Sequence, residues 1–118
     1  MEEHAHLYPM PGGNLSRKRA ELAPGIHDAF REFSAQAFAA GALDARTKQL
    51  IAVAAAHITQ CPYCIRGHTR SALRAGATEE QIIEAVWVAA EMRAGASYAH
   101  ALIAVQEMES LQRVTGQG

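Results

Sequence analysis

The sequence predicts an all-α protein, a helical bundle of five or six helices. Three observations carry this: apolar residues recur at three- and four-residue spacing, alanine is abundant, and no stretch alternates like a strand for long. Alanine-rich helices pack closely but bury little area each, so a lone core of 118 residues is modest and self-association is expected.

Residues 1–13 are expected to form an irregular arm, because Pro9, Pro11, Gly12 and Gly13 deny it a regular helix. His4 and His6 on that arm offer no more than incidental metal affinity. A single helical domain is expected over 14–115. It begins with a short helical turn from Asn14 through Leu22. After Pro24, a helix places Ile26, Phe30, Phe33 and Ala37 along one face until Gly41 stops it. Asp44 is a good N-cap for a helix over 45–58 that is apolar at Leu50, Ile51, Val53 and Ala54.

Pro62 disfavours helical geometry at Cys61 and itself suits a first helical position, so a helix starts there with Cys61 as N-cap and Cys64 at N3. It should run to Ala75, with Gly76 in the left-handed position beyond its end. Thr78-Glu79-Glu80-Gln81 then reads as a capping box. The helix it opens should bury Ile82, Ile83, Val86, Ala89 and Ala90 and stop at Gly95. A last helix from about Ser97 should present Leu102, Val105, Met108 and Leu111, and the Thr-Gly-Gln-Gly end should fray.

Eleven Lys and Arg against twelve Asp and Glu give a net charge of -1, which argues against a nucleic-acid or anionic-membrane partner. The first fifteen residues lack the basic start and apolar stretch of a secretory signal, and charged residues or histidine interrupt every apolar run. A cytoplasmic location is therefore expected. In a reducing compartment a pair spaced C-x-x-C reads as redox or metal chemistry rather than as a structural disulfide.

That pair is Cys61-Pro62-Tyr63-Cys64. At a helix start, unpaired N–H groups and the macrodipole favour negative charge, so a thiolate at either cysteine is stabilised. Cys61, Cys64 and His68 stand at i, i+3 and i+7, which puts the imidazole one turn beyond Cys64, where it can take a thiol proton. A dithiol with a base beside it suits a two-step reduction, in which one thiolate attacks a peroxide or disulfide and the other closes an intramolecular disulfide. No cofactor and no resident metal is required.

Three segments together are specific: Thr47-Lys48-Gln49-Leu50-Ile51, then Cys61 to Ile65 with His68, then Ala75-Gly76-Ala77-Thr78-Glu79-Glu80-Gln81-Ile82. They resemble the carboxymuconolactone decarboxylase and AhpD-like superfamily, over roughly residues 20–110. The C-x-x-C with a following histidine is similar to the alkyl hydroperoxidase D branch. The resemblance implies an AhpD-like helical subunit that forms trimers or hexamers. It implies an antioxidant peroxidase that reduces hydroperoxides at the dithiol and is itself reduced by a lipoyl or thioredoxin-like partner. By the same resemblance Cys64 attacks the peroxide, Cys61 resolves it and His68 relays the proton. The family's relay starts from a glutamate twelve residues before the first cysteine. Here that position is Gln49, which can orient His68 by hydrogen bonding but cannot carry a proton, so a slow or altered activity is expected. Glu84 and His57 are candidate substitutes for the glutamate.

Other readings compete. His57, Cys61, Cys64 and His68 are four potential zinc ligands within twelve residues, although a helix start would have to bend to aim both histidines at one centre. A non-enzymatic oligomer with a redox-sensing or zinc-binding C-x-x-C is one alternative. Lyase chemistry on a lactone acid is another. Tyr98 and His100 are expected to be partly buried packers, and Trp87 a core or subunit-interface residue. Gln49 on an amphipathic helix could equally be an ordinary surface glutamine.

Overall fold

A computed structural model describes residues 7–116, and among these every regular element is helical. Five helices follow in order: α1 (Gly13–Leu22), α2 (Pro24–Phe38), α3 (Ala45–Thr59), α4 (Pro62–Arg74) and α5 (Glu79–Thr115). The contacts divide the chain into two compact units, Met1–Lys48 and Gln49–Gly118. Most of the expected arm's first half, with His4 and His6, lies outside the described residues, as does the Gln117-Gly118 end.

In the first unit α1 and α2 are joined through Ala23, and Pro24 takes the first turn of α2, where a missing N–H costs nothing. The Ser16 hydroxyl accepts the Gly12 N–H at 2.7 Å and ties down the start of α1. The expected face of α2 forms, with the Phe30 and Phe33 ring centroids 6.2 Å apart. It is not a core face, however: Ile26, Phe30 and Phe33 are exposed, and no described residue of this unit is buried. Helical spacing reveals which residues share a face, not what covers it. At the unit's end Asp44 accepts the Thr47 N–H at 2.8 Å, which is the expected N-cap of α3 and holds the carboxyl below its ordinary pKa. Lys48 Nζ reaches back to the Ala39 carbonyl at 2.6 Å.

The second unit holds the core: Val53 of α3, Ala72 of α4, Ala77 of the turn and Ile82 of α5 pack together, with Leu50 and Val86 against them. Small residues at 72 and 77 let the helices approach closely, so a short side chain on each suffices to exclude water.

Two helices end in the same way. The Cys61 N–H donates to the Ala56 carbonyl at 3.2 Å, with Gln60 left-handed at φ 59°, and the Ala77 N–H donates to the Ala72 carbonyl at 2.9 Å, with Gly76 at φ 98°. Each is a Schellman closure, which satisfies carbonyls that a helix end leaves without partners. The expected Gly76 turn is therefore present, and Thr78 and Gln81 form the expected reciprocal capping box at 3.1 and 3.0 Å.

The sequence reading fails after Ala90. In place of a stop at Gly95 and a new helix from Ser97, α5 runs unbroken for 37 residues, about 55 Å at 1.5 Å per residue. An isolated glycine costs a helix only ~1 kcal/mol against alanine, and no proline follows to enforce a break. Beyond Ala89 no described residue of α5 is buried, and Ile83 is exposed although it was expected in the core.

Candidate functional site

The connection between α3 and α4 is a single turn, Gln60-Cys61, and it determines where the dithiol sits. The left-handed Gln60 reverses the chain, and Cys61 takes extended geometry as the N-cap of α4. Its Sγ accepts the Cys64 N–H at 3.3 Å. Both cysteines are free thiols and half-buried.

Their environments pull the two thiols apart. Cys61 is held below the ordinary thiol pKa, first by the hydrogen bond from the Cys64 side chain, then by the Cys64 and Tyr63 backbone N–H groups. Cys64 is pushed up, first because its proton is engaged with Cys61, then by burial and by the negative charge on Cys61. The two thiols share a hydrogen bond, so their titration belongs to the pair, with Cys61 drawn down and Cys64 pushed up. The N-cap arrangement adds to this, because backbone donors of the first helical turn also point at Cys61 Sγ.

Gln49, in the first half of α3, points its Oε1 at His68 Nδ1 on α4, 2.8 Å away. An amide oxygen only accepts, so Nδ1 donates in this contact. The structure thus brings Gln49 and His68 together and places Cys61 and Cys64 together one turn back along α4. Gln49 is not an ordinary surface glutamine.

The two candidate substitutes for the missing glutamate do not join the Gln49–His68 pair. His57 Nδ1 is engaged with the Val53 carbonyl of its own helix at 2.7 Å. Glu84 lies on an exposed acidic surface with Glu79, Glu80 and Ile83. Tyr98 is 84% exposed and His100 is exposed too, so neither is a partly buried packer. Among the described residues no group of three or more His, Cys, Asp or Glu is arranged to hold a metal ion.

Two contributors were not identified from the sequence. Gln60 adopts the left-handed turn without the glycine that usually signals it. Arg93, on α5, donates to the Ile58 carbonyl at 3.0 Å and so caps the end of α3 immediately before the dithiol. A basic residue 35 positions from its acceptor leaves no local signal.

The model of the carboxymuconolactone decarboxylase family matches residues 24–107. A Paracoccus denitrificans protein of the cox locus is 64% identical over 99 residues, spanning 84% of this chain and 86% of that protein. Among solved structures, a protein from Methanobacterium thermoautotrophicum is 37% identical with a TM-score of 0.67, over 70% of this chain and 93% of that one. A carboxymuconolactone decarboxylase family protein from Legionella pneumophila is 33% identical with a TM-score of 0.64, over 81% and 86% of the two chains. With a helical fold shared with these structures and a family match over most of its length, the chain belongs to the carboxymuconolactone decarboxylase family.

Proposed function

We propose that this family member is an AhpD-like thiol oxidoreductase that reduces hydroperoxides or disulfides through a Cys61–Cys64 disulfide. The observation that carries the reading is the pair of thiols at the start of α4: Cys61 Sγ accepts the Cys64 N–H at 3.3 Å, and its pKa is drawn down while that of Cys64 is pushed up. A structural pair of buried thiols has no need of such a split, whereas a dithiol reductant uses it.

In the proposed cycle Cys61 takes up the proton of Cys64, and the Cys64 thiolate attacks the terminal peroxide oxygen. The O–O bond breaks, Cys64 becomes a sulfenic acid, and the alkoxide leaves as alcohol after taking the proton held by Cys61, relayed through His68. Cys61, again a thiolate, then attacks the sulfenic sulfur, the disulfide forms, and the hydroxide departs as water with a proton from solvent. Two electrons pass from the two sulfurs to the peroxide. Gln49 orients His68 but carries no proton, so turnover is slow relative to a site with a carboxylate there. A lipoyl or thioredoxin-like dithiol in the cytoplasm, attacking the disulfide, regenerates the pair. The protein works as a homo-oligomer.

The test is steady-state turnover of cumene hydroperoxide with dihydrolipoamide as reductant. Consumption of peroxide that disappears in both Cys61→Ser and Cys64→Ser supports the reading. Peroxide turnover that survives both substitutions refutes it.

A further inference from the structure

Cys61 belongs to two helices at once. Its N–H closes the end of α3 on the Ala56 carbonyl at 3.2 Å, and its Sγ caps the start of α4 by accepting the Cys64 N–H at 3.3 Å. Where that sulfur lies therefore depends on how firmly the last turn of α3 is held. The link between the two helices is Gln60, in a left-handed conformation that side-chain-bearing residues disfavour.

Most of that turn is held by its own residues. The Ala56 carbonyl takes the Cys61 N–H and also, at 3.3 Å, the Thr59 hydroxyl, while the His57 ring engages the Val53 carbonyl at 2.7 Å. The Ile58 carbonyl lies outside the Schellman closure, among those that a helix end leaves without a partner of its own. It accepts Arg93 Nη1 of α5 at 3.0 Å. Arg93 stands one turn beyond Ala89, the last buried residue of α5, so the packed part of that helix aims the guanidinium. Among the described residues no carboxylate pairs with it. A fixed point outside α3 is thereby set three residues before the sulfur that caps α4.

We propose that Arg93 is a positioning residue of the dithiol: by bonding the Ile58 carbonyl it ties the α3–α4 turn to α5 and keeps Cys61 in the N-cap geometry from which its sulfur reacts. Without the guanidinium that carbonyl turns to water, the turn samples other geometries, and the Cys64 and Tyr63 N–H groups meet Cys61 Sγ for less of the time. Fewer donors leave less thiolate at neutral pH. The inference rests on the reading of Cys61 and Cys64 as the reactive pair. Its readout is alkylation, however, so a dithiol that ignores peroxide sinks that reading and leaves this one to its own result.

The experiment uses the reduced full chain and follows the pH profile of Cys61 modification by iodoacetamide, read by peptide mass mapping. Arg93→Met keeps the aliphatic stem and removes the donor. Its profile should move to higher pH, with modification at neutral pH slowed about fivefold. Arg93→Ala carries the same expectation and decides the matter should Arg93→Met fail to fold. Arg93→Lys, which can donate to the same carbonyl, should recover most of the native profile. Thr78→Ala, which loosens α5 at its capping box and not at this turn, should leave the profile in place. An Arg93→Met profile that superimposes on the native one overturns the proposal. So does an equal displacement in Thr78→Ala, which would make the effect one of general stability. A displacement that high salt abolishes overturns it too, because a distant charge is screened and a bond through Ile58 is not.

Discussion

Gln49 and His68 lie nineteen residues apart in sequence and meet at 2.8 Å, amide oxygen to ring nitrogen. The contact fixes the ring tautomer without supplying charge, and this separates orientation from proton transfer in a way the substitution of Gln49 can test. Gln49→Glu keeps an acceptor at the same place and adds a carboxylate that stabilises the protonated ring. Peroxide turnover should rise about tenfold, with the acid limb of the pH–rate profile displaced upward. Gln49→Leu should lower turnover by about tenfold with little change in KM, because only ring orientation is lost. Stopped-flow peroxide consumption across pH checks both.

The split of the two thiols predicts their order of reaction with an alkylating agent. Cys61 should be modified at a pH where an ordinary thiol is inert, and Cys64 only well above it. In Cys64→Ser the serine hydroxyl and the N–H groups still donate to Cys61, which stays reactive below the ordinary thiol range. Peptide mass mapping after timed iodoacetamide exposure distinguishes the two sites.

The same shifts have a sign for stability. Cys61 has a lowered pKa in the fold, so its contribution is complete above the ordinary thiol pKa and is lost as pH falls through the lowered value. Cys64 has a raised pKa, so the fold favours its neutral form below the ordinary thiol pKa, and that contribution is lost as pH rises to the raised value. The reduced protein should therefore lose stability above the ordinary thiol range in a way that Cys64→Ser does not. Urea melts of reduced protein from neutral to alkaline pH measure this.

The two Schellman turns make opposite predictions. Gln60 occupies a left-handed conformation that costs a side-chain-bearing residue ~1 kcal/mol, so Gln60→Gly should be neutral or stabilise by up to about 1 kcal/mol. Gly76 at φ 98° has no such reserve, and Gly76→Ala should destabilise by about 1–2 kcal/mol. At the next helix start, Thr78→Ala removes the capping box and should cost about 1 kcal/mol. Thermal melts of the three variants suffice.

Much of the site was legible because its determinants are local. Pro62 after Cys61, Gly76 before Ala77, and Thr78 with Gln81 each act within a few residues, and each helix boundary they signal is present. The Gln49–His68 pair was legible only by resemblance, since nothing local joins α3 to α4 at those positions. Gln60 and Arg93 escaped notice for related reasons: one adopts a conformation its residue type does not advertise, and the other acts across 35 residues. The faces of Ile26, Phe30 and Phe33 and of the second half of α5 were correctly patterned, but Ile83 was assigned to the core and is exposed. Periodicity records that a face avoids water, and within one chain these faces are uncovered. Gly95 misled because a single glycine is a weak stop in a helix whose first turns are capped and packed.

The central claim is that Cys61 and Cys64 act together as a two-electron reductant. The direct test is to add substoichiometric cumene hydroperoxide to the reduced, metal-free protein and follow free thiols and intact mass, with Cys64→Ser as control. The account predicts rapid loss of two thiols and about two mass units per peroxide consumed, absent in the variant. Thiols that stay reduced while peroxide persists would contradict it.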